Sequence, residues 1–531
     1  MAALSVLFES GIQCPADRPE RYLGSPAELF FRDLSASWET SEVLEADPGH
    51  YAVIARKSNM EGPSNGDWYL GAICNEKHSA TIQLNFLDAD KTYYAIICAD
   101  GESKDELTSR ITTVKRGDTL ELNMLKAGGA AVRFMSTEPV LPKTLELNRN
   151  ALEMKELTGE TLTVTAFDAD GSEILVLTFR KGWADLAVCM RAYDDGYAFR
   201  YDIRKLDGSK GPMIITDETS AFTMPAGSDI YTMRDTRSGG TFNHEESFDL
   251  MNVEDIPTVT GNTTGRLSMP LLSKSPDDVW TLITEANLYG DPYVGSFLNR
   301  VEGTTLEIDI PRQQMIKMGT WEIKTAYPFT SPWRLAICGG LGDIVESTMV
   351  ENVSDPSVLE DTSWIKPGVS SWTWLVSYAA GQHDYEEILK YVDFASEMGW
   401  SYYIMDEGWQ PPSTVSGKRY DGYYEWFDEL VQHAEEKNVG LIAWILAHDL
   451  DTPEEREVLK EYAEKGIKGI KVDFFDYDDQ DTIQLYQEIY EACVENHLIV
   501  NAHGANKPTG EARTYPTAKP SAARKWAAIT P

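Results

Sequence analysis

The spacing of apolar and polar positions divides the chain into two kinds of structure. Between residues 25 and 137, short alternating segments such as 51–55 and 68–73 are separated by turns rich in Gly, Asp and Asn. Residues 140–345 are again rich in such segments, for example 174–179 and 197–201. Alternation of this kind predicts half-buried antiparallel strands. We therefore expect a small β-sandwich followed by a larger one.

The pattern changes after Pro367, where apolar strand segments alternate with amphipathic helices. Asp384, with Glu387 three residues later, matches a capping box, and Ile388, Val392 and Ala395 form the apolar stripe of the helix that follows. The predicted strands lie at 369–375, 402–405, 440–446, 469–474 and 498–503, and the later helices at 426–437, 453–465 and 481–496. Such alternation predicts a parallel sheet, either doubly wound or closed as a barrel.

Polar and aromatic residues at the strand ends favour the barrel. They are Trp372, Trp374, Asp406, Glu407, His448, Asp449, Asp473 and His503. Barrels carry chemistry at the carboxyl ends of many strands, whereas doubly wound sheets concentrate it at one switch point. The first strand is also not followed by a GxGxxG or GxxxxGK[ST] loop, which counts against nucleotide binding.

Net charge limits the classes of possible binding partner, and the cysteine pattern indicates whether disulfides are expected. The 531 residues carry a formal charge of −38, which repels nucleic-acid phosphates and anionic lipid but leaves neutral substrates such as sugars open. The N-terminus lacks a basic n-region, and no run approaches the ~18 apolar residues of a membrane span. We therefore predict no nucleic-acid partner, no membrane partner and no signal peptide in this chain. The six scattered cysteines are expected to be buried thiols rather than a disulfide framework.

Asp473 is the strongest candidate for chemistry. It ends the fourth predicted strand in Lys471-Val-Asp473, and a strand-terminal carboxylate can act as a nucleophile toward an anomeric carbon. The alternative is an aspartate that caps a helix or organises a loop, which is common after any strand.

Other strand-end residues suit the binding of a sugar. Asp406, Glu407 and Trp409 combine carboxylates with an aromatic ring, and His503 could donate to a hydroxyl. A solvated loop and a structural histidine are the alternatives. In the larger β-rich region the acidic residues of Asn243-His-Glu-Glu246, and Glu285, could offer oxygen ligands to a cation, although exposed acids are the default in so acidic a chain.

Several motifs resemble glycoside hydrolase family 97. The barrel motifs are Trp364-Ile-Lys-Pro-Gly, Met405-Asp-Glu-Gly-Trp, Gly466-Ile-Lys-Gly-Ile-Lys-Val-Asp-Phe, Asn501-Ala-His-Gly-Ala-Asn-Lys-Pro-Thr-Gly and Arg513-Thr-Tyr-Pro. Upstream, Asp194-Asp-Gly-Tyr-Ala-Phe-Arg-Tyr, Glu285-Ala and Pro332-Trp-Arg-Leu-Ala-Ile resemble the family's amino-terminal sandwich. The resemblance implies a multidomain β and α/β protein, with β-sandwich domains and a partial (β/α)8 TIM-type barrel.

Within that family the resemblance is to the retaining type. Retaining members have a nucleophilic Asp where this chain has Asp473, whereas inverting members have Gly there and a Glu after the histidine of the fifth strand. This chain has Gly504 after His503. The resemblance implies a sugar site lined by Trp374, Asp406, Glu407, Trp409, Lys471 and His503, and Ca²⁺ held by Glu245 and Glu246.

The order of the segments departs from the family. Residues 1–24 resemble its last barrel helix, 25–137 its C-terminal small sandwich, 138–345 its N-terminal large sandwich, 346–365 a linker and 366–531 the first part of its catalytic barrel. This is a permuted order. Residues 517–531 contain no carboxylate, and the family's calcium-ligand and acid/base glutamates would fall on Ala522 and Ala528.

The resulting expectation is a glycoside hydrolase that cleaves terminal α-galactosides or α-glucosides with retention and calcium assistance, impaired because the acid/base Glu is missing. A catalytically inactive carbohydrate-binding remnant, or a truncated or misassembled gene product, is the alternative. An open barrel would expose unpaired strand edges, so self-association is also expected. The compartment stays open, since members of the family are often periplasmic or secreted.

Overall fold

The three-dimensional structure, a computed structural model, contains two β-rich domains and a parallel α/β sheet. The described residues are 2–15, 18–23, 25–101, 107–137, 139, 173–181, 184–235, 242, 244–258, 266–311, 322–414 and 419–518. The multidomain β and α/β architecture predicted from the sequence is confirmed. Asn243, Ala522 and Ala528 lie outside the described residues.

The first β domain, here called the small domain, is an antiparallel sandwich. Its main sheet has the spatial order Trp38–Asp47, Tyr51–Ser58, Trp68–Cys74, Gly129–Met135, Thr92–Asp100 and Leu107–Lys115. A second sheet pairs His78–Gln83 with Thr119–Met124. Alternate residues of each strand point inward, so that Val53, Leu70, Ile97 and Leu122 share one apolar core.

The second β domain, here called the large domain, is built on one long antiparallel sheet. Its strands follow the order Glu173–Lys181, Ala184–Tyr193, Gly196–Lys205, Trp333–Gly339, Trp280–Ala286, Leu271–Lys274, Asp229–Asp235, Arg266–Leu267, Phe297–Glu302, Thr305–Asp309 and Ala221–Thr223. Phe248–Asn252 and Phe329–Thr330 pair at its side, and Gly211–Ile215 pairs with Ile323–Tyr327. The helices Leu341–Glu346 and Met349–Val353 cover one face.

The barrel sheet consists of six parallel strands. In spatial order they are Ile12–Gln13, Gly368–Trp372, Tyr402–Met405, Gly440–Leu446, Gly469–Asp473 and Ile499–Ala502. The helices Trp374–Gly381, Tyr385–Glu397, Phe427–Glu436, Pro453–Glu464, Gln480–Glu495 and Glu511–Thr514 accompany them. The Asp384 carboxylate accepts the Glu387 N–H at 3.2 Å, so the predicted helix start is confirmed.

Two features of the barrel differ from the sequence expectation. The predicted strand 369–375 ends at Trp372, and Trp374 instead begins the helix Trp374–Gly381. The second difference is Ile12–Gln13, which pairs in parallel with Gly368 and Val369. Residues 1–24 therefore supply a barrel strand as well as helix, although a two-residue strand has no periodicity to reveal it.

The segment ahead of the first strand of the small domain joins it to the barrel, and this segment contains the short helices Leu4–Leu7, Pro19–Tyr22 and Glu28–Phe31. Tyr22 packs against the rings of Phe394 and Trp400, at centroid distances of 5.4 and 5.7 Å. The Trp400 indole N–H donates to the Phe31 carbonyl at 2.9 Å. These contacts place Phe394 of the helix Tyr385–Glu397 in the same apolar core as Tyr22 and Phe31.

The large domain meets the barrel through a buried ionic network. Arg334, fully buried, donates to Glu285 and, at 2.6 Å, to Glu218. Lys507, in the segment that follows the last described barrel strand, contacts the other oxygen of Glu285 at 2.6 Å. Because each buried charge has a partner of opposite sign, the network fixes the domain against the barrel without leaving an isolated charge.

All six cysteines are free thiols, and Cys74, Cys98 and Cys493 are buried. Burial raises the pKa of Cys493 beyond its ordinary range, which makes its thiolate scarce. In the part of the chain that the structure describes, no helix has the length and apolar character needed to cross a membrane.

Candidate active site

The carboxyl ends of the barrel strands bring the candidate residues to one edge of the sheet. Leu446 pairs with Asp473, and Val472 pairs with Ala502, which precedes His503. Parallel strands in this register end together, so side chains that follow them on different strands become neighbours. The structure places Asp406, Lys471, Asp473 and His503 in one connected cluster.

Asp473 lies at the centre of this cluster, with 4% of its surface exposed. The Trp444 indole N–H donates to its Oδ2 at 3.1 Å, and His503 Nδ1 lies 2.9 Å from its Oδ1. The next helix is capped by Asp479, which accepts the Thr482 N–H at 3.0 Å. Asp473 therefore does not cap that helix; its carboxylate is held by the Trp444 and His503 side chains and also accepts the Phe474 N–H at 3.0 Å.

These contacts keep Asp473 ionised. Burial by itself raises the pKa of this carboxyl, but the hydrogen bond and charge of His503, the charge of Lys471 and the Trp444 N–H outweigh burial and lower the pKa to about 2. An ionised carboxylate accepts hydrogen bonds, so His503 Nδ1 must carry the proton and act as the donor. The site thus presents a fixed negative charge with a defined orientation.

Lys471 joins Asp473 to Asp406, which follows the strand Tyr402–Met405 on the far side of Gly440–Leu446. Its Nζ lies 2.7 Å from Asp406 Oδ2 and 3.4 Å from Asp473 Oδ2. Asp406 is 2% exposed and also accepts the Trp372 indole N–H at 2.6 Å. One cation between two buried carboxylates offsets their mutual repulsion.

Glu407 lies beside this cluster and has partners of its own. Arg419 Nη2 is 2.5 Å from Glu407 Oε1, and the Tyr420 hydroxyl donates to the same oxygen at 3.2 Å. Its side chain is 15% exposed. The carboxylate is thus held near the edge of the sheet formed by the carboxyl ends of the strands.

Glu245 reaches the cluster from the large domain. Its Oε1 lies 3.6 Å from His503 Nδ1, although more than 250 positions separate the two residues along the chain. Glu246 follows with a half-buried side chain. Among the described residues, no three His, Cys, Asp or Glu side chains group in a way that could hold a metal ion.

The structure does not bring Trp409 or Trp374 into contact with Asp473. The Trp409 ring is buried against Phe427 and Tyr462 behind the strands, and its indole N–H donates to the Trp444 carbonyl at 2.8 Å. Trp374 packs edge-on against Tyr378, at a centroid distance of 5.9 Å, in the helix after the first long strand. An indole with both an apolar ring and a donor suits either environment, which is why sequence alone did not separate them.

Sequence reasoning missed Trp444 and Gln382. Trp444 lies inside the strand Gly440–Leu446, two residues before its end, so the period of two directs it to the same face as that strand end. Gln382 accepts the Asp406 N–H through its Oε1 at 2.8 Å and thereby fixes the loop that carries Asp406. Only the strand alternation could have indicated Trp444, and no sequence signal indicated Gln382.

Comparison with known families agrees with this architecture. A profile described as "Glycoside hydrolase 97" matches residues 364–519, "Glycosyl-hydrolase 97 N-terminal" matches 153–356, and "Glycosyl-hydrolase 97 C-terminal, oligomerisation" matches 37–135. The chain belongs to glycoside hydrolase family 97. In this family 97 chain the C-terminal profile matches ahead of the N-terminal one, as the permuted order predicts. The exact domain boundaries stay predictions.

Two curated relatives carry names that state an activity. A "Probable retaining alpha-galactosidase" of Streptomyces bingchenggensis is 32% identical over 338 residues, which cover 63% of this chain and 49% of that protein. A "Retaining alpha-galactosidase" of Bacteroides thetaiotaomicron is 32% identical over 372 residues, which cover 64% and 54% respectively. This family 97 chain therefore spans about half the length of these relatives.

Solved structures show the same fold. A "beta-arabinopyranosidase" aligns over 90% of this chain and 67% of its own, with a TM-score of 0.55 and 19% identity. A family 97 enzyme from Pseudoalteromonas sp. strain K8 in complex with acarbose aligns over 90% and 68%, with a TM-score of 0.53 and 17% identity.

Proposed function

We propose that this family 97 chain hydrolyses terminal α-glycosidic bonds, in α-galactosides or α-glucosides, with retention of configuration. The observation that carries the proposal is the ionised, oriented carboxylate of Asp473 at the end of the strand Gly469–Asp473. The names of the two curated relatives support galactosides in particular. An α-glucoside is the second candidate substrate, because one solved enzyme with this fold is in complex with acarbose.

In the proposed mechanism Asp473 is the nucleophile. Its carboxylate oxygen forms an ester bond to the anomeric carbon, while the bond from that carbon to the leaving group breaks. An oxygen leaving group takes a proton from solvent water, whereas fluoride departs as the anion. Water then attacks the same carbon, loses a proton and releases the Asp473 carboxylate with the sugar in its original configuration. Trp444 and His503 hold the carboxylate in position, and Lys471 keeps it charged.

The remaining residues of the cluster are proposed to bind the sugar. Asp406, Glu407, Lys471 and His503 offer charged hydrogen-bond partners around Asp473, and Trp374 is proposed as a ring at the rim. Trp409 is proposed to contribute indirectly, because its indole N–H donates to the Trp444 carbonyl and so holds Trp444 in place. A hydroxyl-rich substrate needs many such partners because each desolvated hydroxyl must be satisfied.

Cleavage is proposed to be slow when the leaving group needs a proton. Residues 517–531 offer no carboxylate at the positions where the family resemblance implies the acid/base Glu. General acid catalysis contributes about 10²–10⁴-fold. The missing acid should therefore slow the departure of a leaving group that needs no proton less than the departure of a sugar, whose oxygen must be protonated.

Calcium is proposed with Glu245 and Glu246 as its ligands. Calcium takes roughly six to eight oxygen ligands, and the described residues place one carboxylate, that of Glu245, beside His503. The described residues do not complete such a set. No step of the proposed mechanism therefore depends on calcium.

Self-association is a further part of the proposal. The barrel sheet runs from Ile12–Gln13 to Ile499–Ala502, and Val500 makes one more parallel bridge, to Ala518. No described strand continues the sheet beyond that bridge. The profile that matches the small domain is described as an oligomerisation domain, which favours contact between copies there.

The test is hydrolysis of α-galactosyl fluoride, nitrophenyl α-galactoside, nitrophenyl α-glucoside and melibiose, each with and without a chelator. We expect the fluoride to be cleaved at least about 10²-fold faster than the disaccharide, with the α-anomer as the first product by NMR. A β-anomer would contradict retention. Sugar binding without turnover of any substrate would favour the inactive carbohydrate-binding remnant, and a rate unchanged by chelator would contradict calcium assistance.

The pH below which Asp473 loses its nucleophilic charge can be measured separately. The reagent is a fluorinated α-galactosyl fluoride that forms a long-lived ester. Because the pKa of Asp473 lies at about 2, the trapping rate should be constant between about pH 7 and about pH 4 and should decrease only below that range. Circular dichroism at each pH confirms that the chain is folded, and Asp473→Asn is the blank. A midpoint near the ordinary aspartate value of about 3.9 would contradict the lowered pKa.

A further inference from the structure

A short segment of the large domain lies directly on the loop that follows Asp473. His244, together with Phe242, contacts the loop 474–479 of the barrel. The Phe242 N–H donates to the Asp476 carbonyl at 2.9 Å, and the Gly295 N–H donates to the Asp478 carbonyl at 2.8 Å. A Cβ at Gly295 would lie 3.0 Å from the Asp478 Cβ, so a larger residue there would require the Asp478 side chain to shift by a few tenths of an ångström.

His244 and Asp478 form a buried side-chain pair across this boundary. His244 Nε2 lies 2.9 Å from Asp478 Oδ1, its Nδ1 lies 3.1 Å from Ser268 Oγ, and both members of the pair are about 1% exposed. The His244 ring stacks on Phe297 at a centroid distance of 5.9 Å. Both ring nitrogens and one ring face are therefore in contact, which leaves the imidazole one orientation.

The backbone at His244 is in the left-handed region, with φ at +55°. A residue with a Cβ adopts that conformation at a cost in free energy, so surrounding contacts must hold it there. The contacts with Asp478 and Ser268 supply that restraint. The conformation of residue 244 in turn sets the direction in which the next residue, Glu245, leaves the segment.

Glu245 is the residue of this segment that reaches the proposed catalytic cluster. Its Oε1 lies 3.6 Å from His503 Nδ1, the same nitrogen that donates to Asp473 at 2.9 Å. Asp478 belongs to the loop that begins directly after Asp473. One loop of the barrel thus carries both the proposed nucleophile and the anchor for the segment that brings Glu245 to it.

We propose that the His244–Asp478 pair is a positioning device that holds Glu245 of the large domain against the Asp473–His503 pair of the barrel. This inference rests on the proposed function of Asp473. The pair touches no substrate; it acts through Glu245. It makes the large domain a part of the active centre, because the barrel cannot place this carboxylate by itself.

The kinetic test is a double-mutant cycle between Asp478 and Glu245 in the full chain. Asp478→Asn keeps the size of the side chain and removes its charge, and we expect kcat/KM for α-galactosyl fluoride to fall at least tenfold. In an Glu245→Ala background the same change should lower kcat/KM less than twofold, because no carboxylate remains to be positioned. Equal losses in both backgrounds would overturn the proposal. Ser268→Ala, which removes only the second partner of His244, serves if Asp478→Asn does not fold.

A second measurement does not depend on turnover. Hydrogen exchange followed by mass spectrometry should show faster exchange in the peptide 244–252 of Asp478→Asn, with the peptide 440–446 unchanged. Asp393→Asn is the matched control, because it breaks an exposed His433–Asp393 pair of 2.8 Å on the outer helices. Unchanged exchange at 244–252 would refute the anchoring. An inactive wild type with the expected exchange pattern would instead refute the proposed function alone.

Discussion

Replacing Asp473 with Asn is expected to lower kcat for α-galactosyl fluoride by about 10⁴-fold or more. The amide keeps the volume of the side chain, and the Trp444 and His503 contacts at 3.1 and 2.9 Å show how closely that volume is surrounded. It cannot form the ester that the mechanism requires, because it has neither the charge nor the nucleophilic oxygen. The measurement is steady-state hydrolysis with fluoride release as the readout.

Chemical rescue separates a missing nucleophile from a damaged site. Asp473→Gly opens space at the strand end, and added azide should restore turnover and give the β-galactosyl azide, since azide would attack from the face that Asp473 occupies. Asp393→Asn, far from the cluster, should retain the rate of the wild type. Full activity in Asp473→Asn, or an azide product of α-configuration, would contradict the assignment of the nucleophile.

Replacing Lys471 with Met is expected to lower the free energy of unfolding by about 3–5 kcal/mol. The lysine is nearly buried and lies between Asp406 and Asp473, at 2.7 and 3.4 Å. Methionine fills a similar volume but leaves two carboxylates buried without this cation, so the pKa of Asp473 should also rise. Urea unfolding followed by tryptophan fluorescence measures the change.

The matched control for Lys471 is Lys437→Met. Lys437 pairs with Asp393 at 2.9 Å, but both side chains are more than 40% exposed, so its loss should cost less than about 1 kcal/mol. Combining Lys471→Met with Asp406→Asn should recover part of the stability, because one of the unpaired charges is removed with its partner. A loss of similar size in Lys471→Met and Lys437→Met would contradict the buried ion pair.

The parts of the site that could be predicted from sequence are those that the strands themselves determine. Asp406 and His503 follow barrel strands, and Lys471 and Asp473 share the last part of Gly469–Asp473. Parallel pairing in register through Gly440–Leu446 brings these positions to one edge of the sheet. The helix beginning at Asp384 could be predicted for a similar reason, because its signals lie within a few residues of one another.

The parts that could not be predicted depend on contacts distant in sequence. Ile12–Gln13 becomes a barrel strand only because Gly368 and Val369 offer it an edge. Trp409 resembles a sugar-binding ring in its motif, yet it is buried because Phe427 and Tyr462 enclose it. Glu245 could be predicted from sequence as a candidate cation ligand, but its approach to His503 depends on how two domains dock.

The large domain thereby contributes to the site in a way that its own sequence does not reveal. The buried contact between Lys507 and Glu285, at 2.6 Å, and that between His244 and Asp478, at 2.9 Å, join it to two barrel loops. Because both pairs are desolvated, separating the domains would expose or isolate charges at considerable cost. Both pairs therefore tie the large domain to the barrel segments that follow Asp473 and His503.

The central claim, that Asp473 forms a covalent bond to the sugar, is tested most directly by locating the trapped adduct. The wild-type chain is incubated with the fluorinated α-galactosyl fluoride, digested with pepsin at low pH and sequenced by tandem mass spectrometry. We expect one added sugar on the peptide that contains residues 469–475, with the ester on Asp473, and no added sugar in Asp473→Asn. A sugar attached to any other carboxylate, or rapid hydrolysis without any adduct on Asp473, would contradict it.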